Sequence, residues 1–122
     1  MNTNSQAKRV LVFGDSNTWG CDPSKDMDNR YPADRRWPGI LQFMLGNGYE
    51  IIEEGLNGRT TRFDDPKPGR EGKNGLTYLV PCLKSHSPLD LVILALGTND
   101  LKDRFHQDAK QIIGNIETLI KV

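Results

Sequence analysis

Ser16 has the clearest chemical promise of any residue in this chain. It follows the apolar run Val10-Leu11-Val12-Phe13 through the turn Gly14-Asp15-Ser16-Asn17. Glycine at position 14 permits a tight turn where a larger residue would clash. A serine placed there sits at the carboxyl end of a buried strand, where open α/β sheets gather their ligands. Next to a helix N-terminus it is a candidate nucleophile; taken alone, it also reads as a helix N-cap. A serine nucleophile needs a base, and only His86 and His106 exist. His86 precedes Ser87-Pro88 and reads as a surface or helix-end histidine. His106 closes Asp103-Arg104-Phe105-His106, an Asp-x-x-His spacing that offers a makeshift acid–base pair. Asp15 and Asp100 also invite general-base roles, but they read better as residues that order the turn after the first strand and cap a later loop.

The elements that must position these groups follow from hydrophobic period. Arg9 to Phe13 is short, apolar and valine-rich, as a buried parallel strand requires. Gly20 to Arg36 is polar, holds Pro23 and Pro32, and reads as loop. Pro38 suits a first helical turn, and Ile40, Leu41, Met44 and Leu45 recur at helical spacing until Gly46 and Gly48 stop the helix. Tyr49 to Glu53 is a second strand. Gly55 to Asn74 is a long loop, a length that in compact domains is often functional. A short helix near 76–83 follows. Leu89 to Leu96 is a third strand with one charge in its whole length. A last helix over about 107–121 carries Ile112, Ile113, Ile116, Leu119 and Ile120 on one stripe. The order β-α-β-α-β-α implies right-handed crossovers and a parallel sheet. Residues 1–8 read as a flexible tail and 9–122 as one domain.

Composition excludes several classes. The 122 residues carry 16 lysines plus arginines against 16 aspartates plus glutamates, so the formal charge is zero. That balance gives no support for a nucleic-acid partner or an anionic membrane. No apolar run approaches membrane-spanning length, and the polar N-terminus lacks a signal-peptide core. Two cysteines, Cys21 and Cys82, are too few for a disulfide framework, and a cytoplasmic protein with reduced thiols is expected. The chain has no Gly-x-Ser-x-Gly elbow, no Walker loop and no Gly-x-Gly-x-x-Gly. No cysteine–histidine cluster suggests zinc, and the Asp22, Asp26, Asp28 stretch does not fit an EF-hand. The sequence therefore predicts neither a metal nor an organic cofactor.

Two further segments join the Ser16 turn: Glu53-Glu54-Gly55-Leu56-Asn57-Gly58-Arg59-Thr60-Thr61 and Leu94-Ala95-Leu96-Gly97-Thr98-Asn99-Asp100. In this order the three resemble the first three sequence blocks of the SGNH (GDSL-type) hydrolases. Flanking residues Arg36-Trp37, Asp64-Asp65-Pro66, Asn74-Gly75, Tyr78-Leu79 and Pro88-Leu89-Asp90-Leu91-Val92-Ile93 resemble the bacterial arylesterase/acyltransferase branch. The resemblance implies an α/β, flavodoxin-like three-layer sandwich with strand one between strands two and three. It implies Ser16 as nucleophile, with the N–H groups of Ser16 and Gly58 and the side chain of Asn99 as oxyanion donors. Read from the residues alone, Gly58 is also a plain turn glycine and Asn99 an asparagine that ties its own loop. Arg36, Trp37 and Arg59 then support the site loops, or are ordinary packing residues. Trp19 and Phe63 either line a pocket or pack the loops.

The sequence departs from the family at its last block. The Asp-x-x-His that supplies acid and base belongs far downstream, after two more strands, whereas Asp103-x-x-His106 begins four residues after Asn99. The chain therefore resembles the N-terminal part of such an enzyme. Three functions compete: a serine carboxylic-ester hydrolase or acyltransferase acting on a small ester without its acid–base block; a catalytically inactive short form that binds a ligand or partner; and a flavodoxin-like anion or nucleotide binder at the helix after Ser16. In all three, strand 89–96 is an unpaired apolar edge through which copies of the chain could associate.

Overall fold

The middle of the first strand is buried on both faces, which is why its sequence is continuously apolar instead of alternating. A computed structural model describes residues 1–122. The strand, β1, spans Lys8–Gly14 and is followed by α1 (Ser16–Trp19), α2 (Trp37–Leu45), β2 (Tyr49–Gly55), α3 (Gly75–His86), β3 (Leu91–Ala95) and α4 (Ala109–Ile120). Single 3-10 turns occupy Gly46–Gly48, Thr98–Leu101 and Asp103–Phe105. The strands form one parallel sheet in the order β2-β1-β3, so the expected α/β class and the central place of strand one both hold.

Register matters most for function. Gly14 pairs with Gly55 on one side and with Ala95 on the other. The three strands therefore finish level, and the loops carrying Ser16, Gly58 and Asn99 leave from one edge of the sheet.

Glu53 and Glu54 are consecutive on β2, so they point to opposite faces. Glu53 pairs with Arg36 beside α2 at 2.8 Å, while Glu54 meets His86 of α3 at 2.7 Å. Helices thus cover both faces. On the α3 face the core is Leu11, Phe13, Leu79, Cys82 and Leu119, which gathers β1, α3 and α4. Each such side chain contributes about 1.5–3 kcal/mol by leaving water. On the other face the backbone of α1 lies against the end of β2: a Cβ on Gly55 would stand 2.2 Å from the Trp19 nitrogen.

The two sheet edges differ. At β2, Gln42 of α2 accepts from the Ile51 N–H at 2.8 Å and donates to the Tyr49 carbonyl at 2.9 Å. The side chain blunts that edge as a neighbouring strand would. No strand lies beyond β3. Next to it, Leu79, Val92, Leu94, Leu119, Ile120 and others line an apolar cleft of about 280 Å³.

Several boundaries moved from the sequence-based expectation. β3 is shorter than 89–96, because Asp90 turns its carboxylate to the Arg9 N–H at 2.8 Å and Gly97 ends the strand with φ 125°. The helix expected near 76–83 runs over Gly75–His86; Asn74 caps it by accepting from the Thr77 N–H, and Pro81 sits inside without ending it. The last helix starts at Ala109 because Asp108 and Gln111 form a reciprocal capping box. The N-terminal segment lies against the turn before β2: the Asn2 amide donates to the Asn47 and Tyr49 carbonyls, both at 3.0 Å, and Lys8 already belongs to β1. No helix is long and apolar enough to cross a membrane.

Candidate active site

The turn at Ser16 is built by its neighbours. Asp15 is the N-cap of α1, accepting from the Asn17 N–H at 2.9 Å. Ser16 is the first helical residue, half-buried, so its hydroxyl is not spent on capping. Gly14 is required by close approach, since a Cβ there would meet the Thr18 hydroxyl at 2.0 Å. The Gly14 carbonyl accepts from the Leu56 N–H and from Arg59 Nη1, each at 3.1 Å. The first and second blocks are therefore joined directly.

Asn99 joins the third. Its side-chain amide donates to the Arg59 carbonyl at 3.1 Å and lies 3.5 Å from Asp15 Oδ2. Asn99 thus touches the residue before Ser16 and the residue after Gly58. Gly58 adopts φ 74°, a left-handed value that favours glycine, and Arg70 Nη2 occupies the space a Cβ would take, at 2.1 Å.

Around this cluster stands a shell of buried polar groups. Asp100, fully buried, accepts from the Thr61 N–H at 2.9 Å, from the Thr61 hydroxyl, and from Asn115 of α4 at 3.4 Å. It reaches across to the second block instead of only capping its own loop. Asp65 accepts from Arg104 Nη2 at 2.6 Å and Arg70 Nε at 2.5 Å. Those partners, the Arg104 hydrogen bond foremost, hold its carboxyl well below the usual carboxylate range. Arg59 is buried with its guanidinium 4.1 Å from the Phe13 ring centre. Burial pulls its pKa down, and the nearby Glu54 charge opposes that shift.

Asp103 and His106 do not form a pair. His106 is exposed, and the two residues meet only through the His106 N–H and the Asp103 carbonyl at 3.1 Å. Phe63 stacks on Phe105 at 5.4 Å between ring centres, and Trp19 lies under Arg30 at 5.0 Å. Arg36 makes two hydrogen bonds to Glu53 and one to the Tyr31 carbonyl, bracing the loop before α2.

A cleft of about 640 Å³ opens on the α3 face, lined by Glu54, Leu56, Arg59, Asn74 and Tyr78 among others. Ser16, Gly58 and Asn99 do not line it. Beside it the fold gathers Glu54, Cys82 and His86, whose ligand-capable atoms all lie within 4.8 Å of one another. The sequence predicts no cysteine–histidine cluster, yet the fold brings these two residues together with a carboxylate. The signal lay in Cys82-x-x-x-His86, one helical turn apart, with the third member distant in sequence. Burial and the Glu54 charge push the Cys82 thiol up to about 11. No sequence motif marks Arg70, Arg104 or Asn115 as supports, and Asp65 stands out only as part of the Asp64-Asp65-Pro66 flank.

A parallel sheet ending in a serine turn, tied by an asparagine to a left-handed glycine loop, defines an SGNH-type hydrolase core. The chain belongs to the GDSL-like lipase/acylhydrolase family, which it matches over residues 12–121. It is similar to the inhibitor-bound aryl esterase of M. smegmatis, with 47% identity and a TM-score of 0.87 over 94% of this chain and 54% of that one. It is also similar to Est24, a carbohydrate acetylesterase from Sinorhizobium meliloti, with 50% identity and a TM-score of 0.86 over 93% of this chain and 53% of that one. AlinE4, an SGNH-hydrolase family esterase, shares the fold at 23% identity and a TM-score of 0.67. No curated protein sequence matches the chain. It spans about half the length of the solved relatives.

Proposed function

We propose that this chain carries the nucleophile and oxyanion half of a serine carboxylic-ester hydrolase or acyltransferase. Ser16 Oγ attacks the acyl carbon of a small ester, forming an acyl-enzyme and releasing the alcohol. The N–H groups of Ser16 and Gly58 and the Asn99 amide stabilise the tetrahedral oxyanion. Asp15 and Asp100 fix the geometry without moving protons. The proton-transferring histidine and its aspartate come from a segment like the second half of the longer relatives. The aryl esterase and carbohydrate acetylesterase relatives suggest small aryl or sugar acetates as substrates.

The observation that supports this reading best is the Asn99 side chain, which bonds the second block and reaches the first. That contact supports an Asn99 amide held close to the Ser16 and Gly58 loops, where it would turn from Asp15 toward a developing oxyanion. The same proposal covers association. The open edge of β3 offers unpaired amides to a second copy or to the remaining half of the fold.

Steady-state hydrolysis of p-nitrophenyl acetate tests the reading. Loss of the base from a serine triad costs on the order of 10⁶ in kcat. The chain alone is therefore expected to hydrolyse the ester barely above buffer, and Ser16→Ala should change that small residual rate little, because serine and base act as a unit. A fast rate unchanged by Ser16→Ala overturns the proposal. A fast Ser16-dependent rate would instead locate a base within this chain, and His106→Ala would identify it.

A further inference from the structure

We propose that Glu54, Cys82 and His86 form a Zn²⁺ site between β2 and α3, with a fourth coordination place open to the neighbouring cleft. Cys82 and His86 are four residues apart on one helix, so both face the same side one turn apart. Glu54 comes from the adjoining strand, and His86 Nε2 lies 2.7 Å from its Oε1. All three donor atoms fall within 4.8 Å of one another. Tetrahedral zinc, with bonds of about 2.0–2.3 Å, sets its ligand atoms roughly 3.3–3.6 Å apart. Glu54 and His86 must open by about 0.6 Å and the thiol close by about 1.3 Å at most, movements that side-chain torsions supply.

The donor set selects the metal. Thiolate, imidazole and carboxylate together suit zinc, whereas magnesium and calcium take oxygen ligands. One thiolate and one carboxylate offset the charge of the divalent cation itself. Coordination replaces the thiol proton, which leaves to solvent. The surroundings hold the ligands in place: Tyr78 donates to Glu54 Oε2 at 3.3 Å, and Arg9 Nη1 donates to the His86 carbonyl at 2.7 Å. Glu54 and Tyr78 also line the 640 Å³ cleft, which gives the ion a way in and leaves room for a water as fourth ligand. A filled site pins the carboxyl end of β2, from which the Gly58 loop departs.

Cobalt titration of the full chain, after chelator treatment, tests the site independently of ester chemistry. The expected result is a one-to-one complex with a thiolate-to-cobalt charge-transfer band, intense tetrahedral visible bands, and displacement by Zn²⁺. Cys82→Ser should remove the charge-transfer band. His86→Gln and Glu54→Gln, which leave the core intact by far-ultraviolet circular dichroism, should each weaken binding roughly tenfold or more. Cys21→Ser should change nothing. Absence of the charge-transfer band, its loss with Cys21→Ser, or binding indifferent to both His86→Gln and Glu54→Gln would overturn the proposal.

Discussion

Removing the Asp100 carboxylate should be among the most damaging single changes in this chain. In Asp100→Ala, the Thr61 N–H, the Thr61 hydroxyl and the Asn115 amide all lose their acceptor. Thr61 is fully buried, so water does not replace the lost oxygen at that end. A buried donor left unpaired costs about 1–3 kcal/mol. The hydroxyl can rotate and Asn115 keeps a second acceptor in Gln107 at 3.1 Å, so the backbone N–H carries most of the loss. The total expected is about 2–4 kcal/mol, a large share of the roughly 5–15 kcal/mol that holds a domain folded. Asp100→Asn keeps one acceptor oxygen for the Thr61 N–H and offers its amide to the hydroxyl, so its cost should be about half. Urea unfolding followed by circular dichroism reads both. A cost for Asp100→Ala below about 1 kcal/mol would refute the reasoning. So would an Asn variant as damaged as the Ala variant. The double variant with Thr61→Val should cost clearly less than the sum of the singles, because the two residues share one contact.

Other consequences follow from the same structure. Asp65 titrates lower in the folded chain than in the unfolded one, so its stabilisation is complete above roughly pH 5 and is lost as pH falls through its folded value. Asp65→Asn should therefore cost about 1–3 kcal/mol at neutral pH and flatten the acid limb of the urea midpoint; an unchanged acid limb contradicts the assignment. Gly58→Ala places a side chain at φ 74° and against Arg70, and should cost at least about 1–2 kcal/mol in thermal unfolding while slowing any Ser16 reaction. The open β3 edge and its apolar cleft should make the chain self-associate at micromolar concentration; sedimentation showing a stable monomer with cooperative unfolding would contradict this.

Much of the fold was legible because its signals are local. The continuous apolar run at Val10–Phe13, the helical spacing from Ile40 to Leu45 and the stripe ending at Ile120 each name an element and its buried face. Boundaries were less legible, because they depend on partners remote in sequence: Asp90 leaves the strand for the Arg9 amide, and the Asp108–Gln111 box sets the start of α4. The positions of Ser16, Gly58 and Asn99 were legible as motifs. The shell around them was not. Asp65 meets Arg104 across thirty-nine residues, and Asp100 meets Thr61 across as many. The Glu54, Cys82 and His86 cluster escaped for the same reason: half its spacing is helical and visible, and the other half exists only after β2 and α3 pack.

Ser16 is proposed as a nucleophile served by the Asn99 amide. A fluorophosphonate with peptide mapping by mass spectrometry tests this directly. Without a base the serine stays protonated and reacts slowly, but donors aimed at the phosphoryl oxygen still lower the barrier to its attack. The expected result is slow but selective modification of Ser16, absent in Ser16→Ala and slowed on the order of 10²-fold or more in Asn99→Ala. Modification at another residue, no adduct at Ser16, or a rate untouched by Asn99→Ala would contradict it.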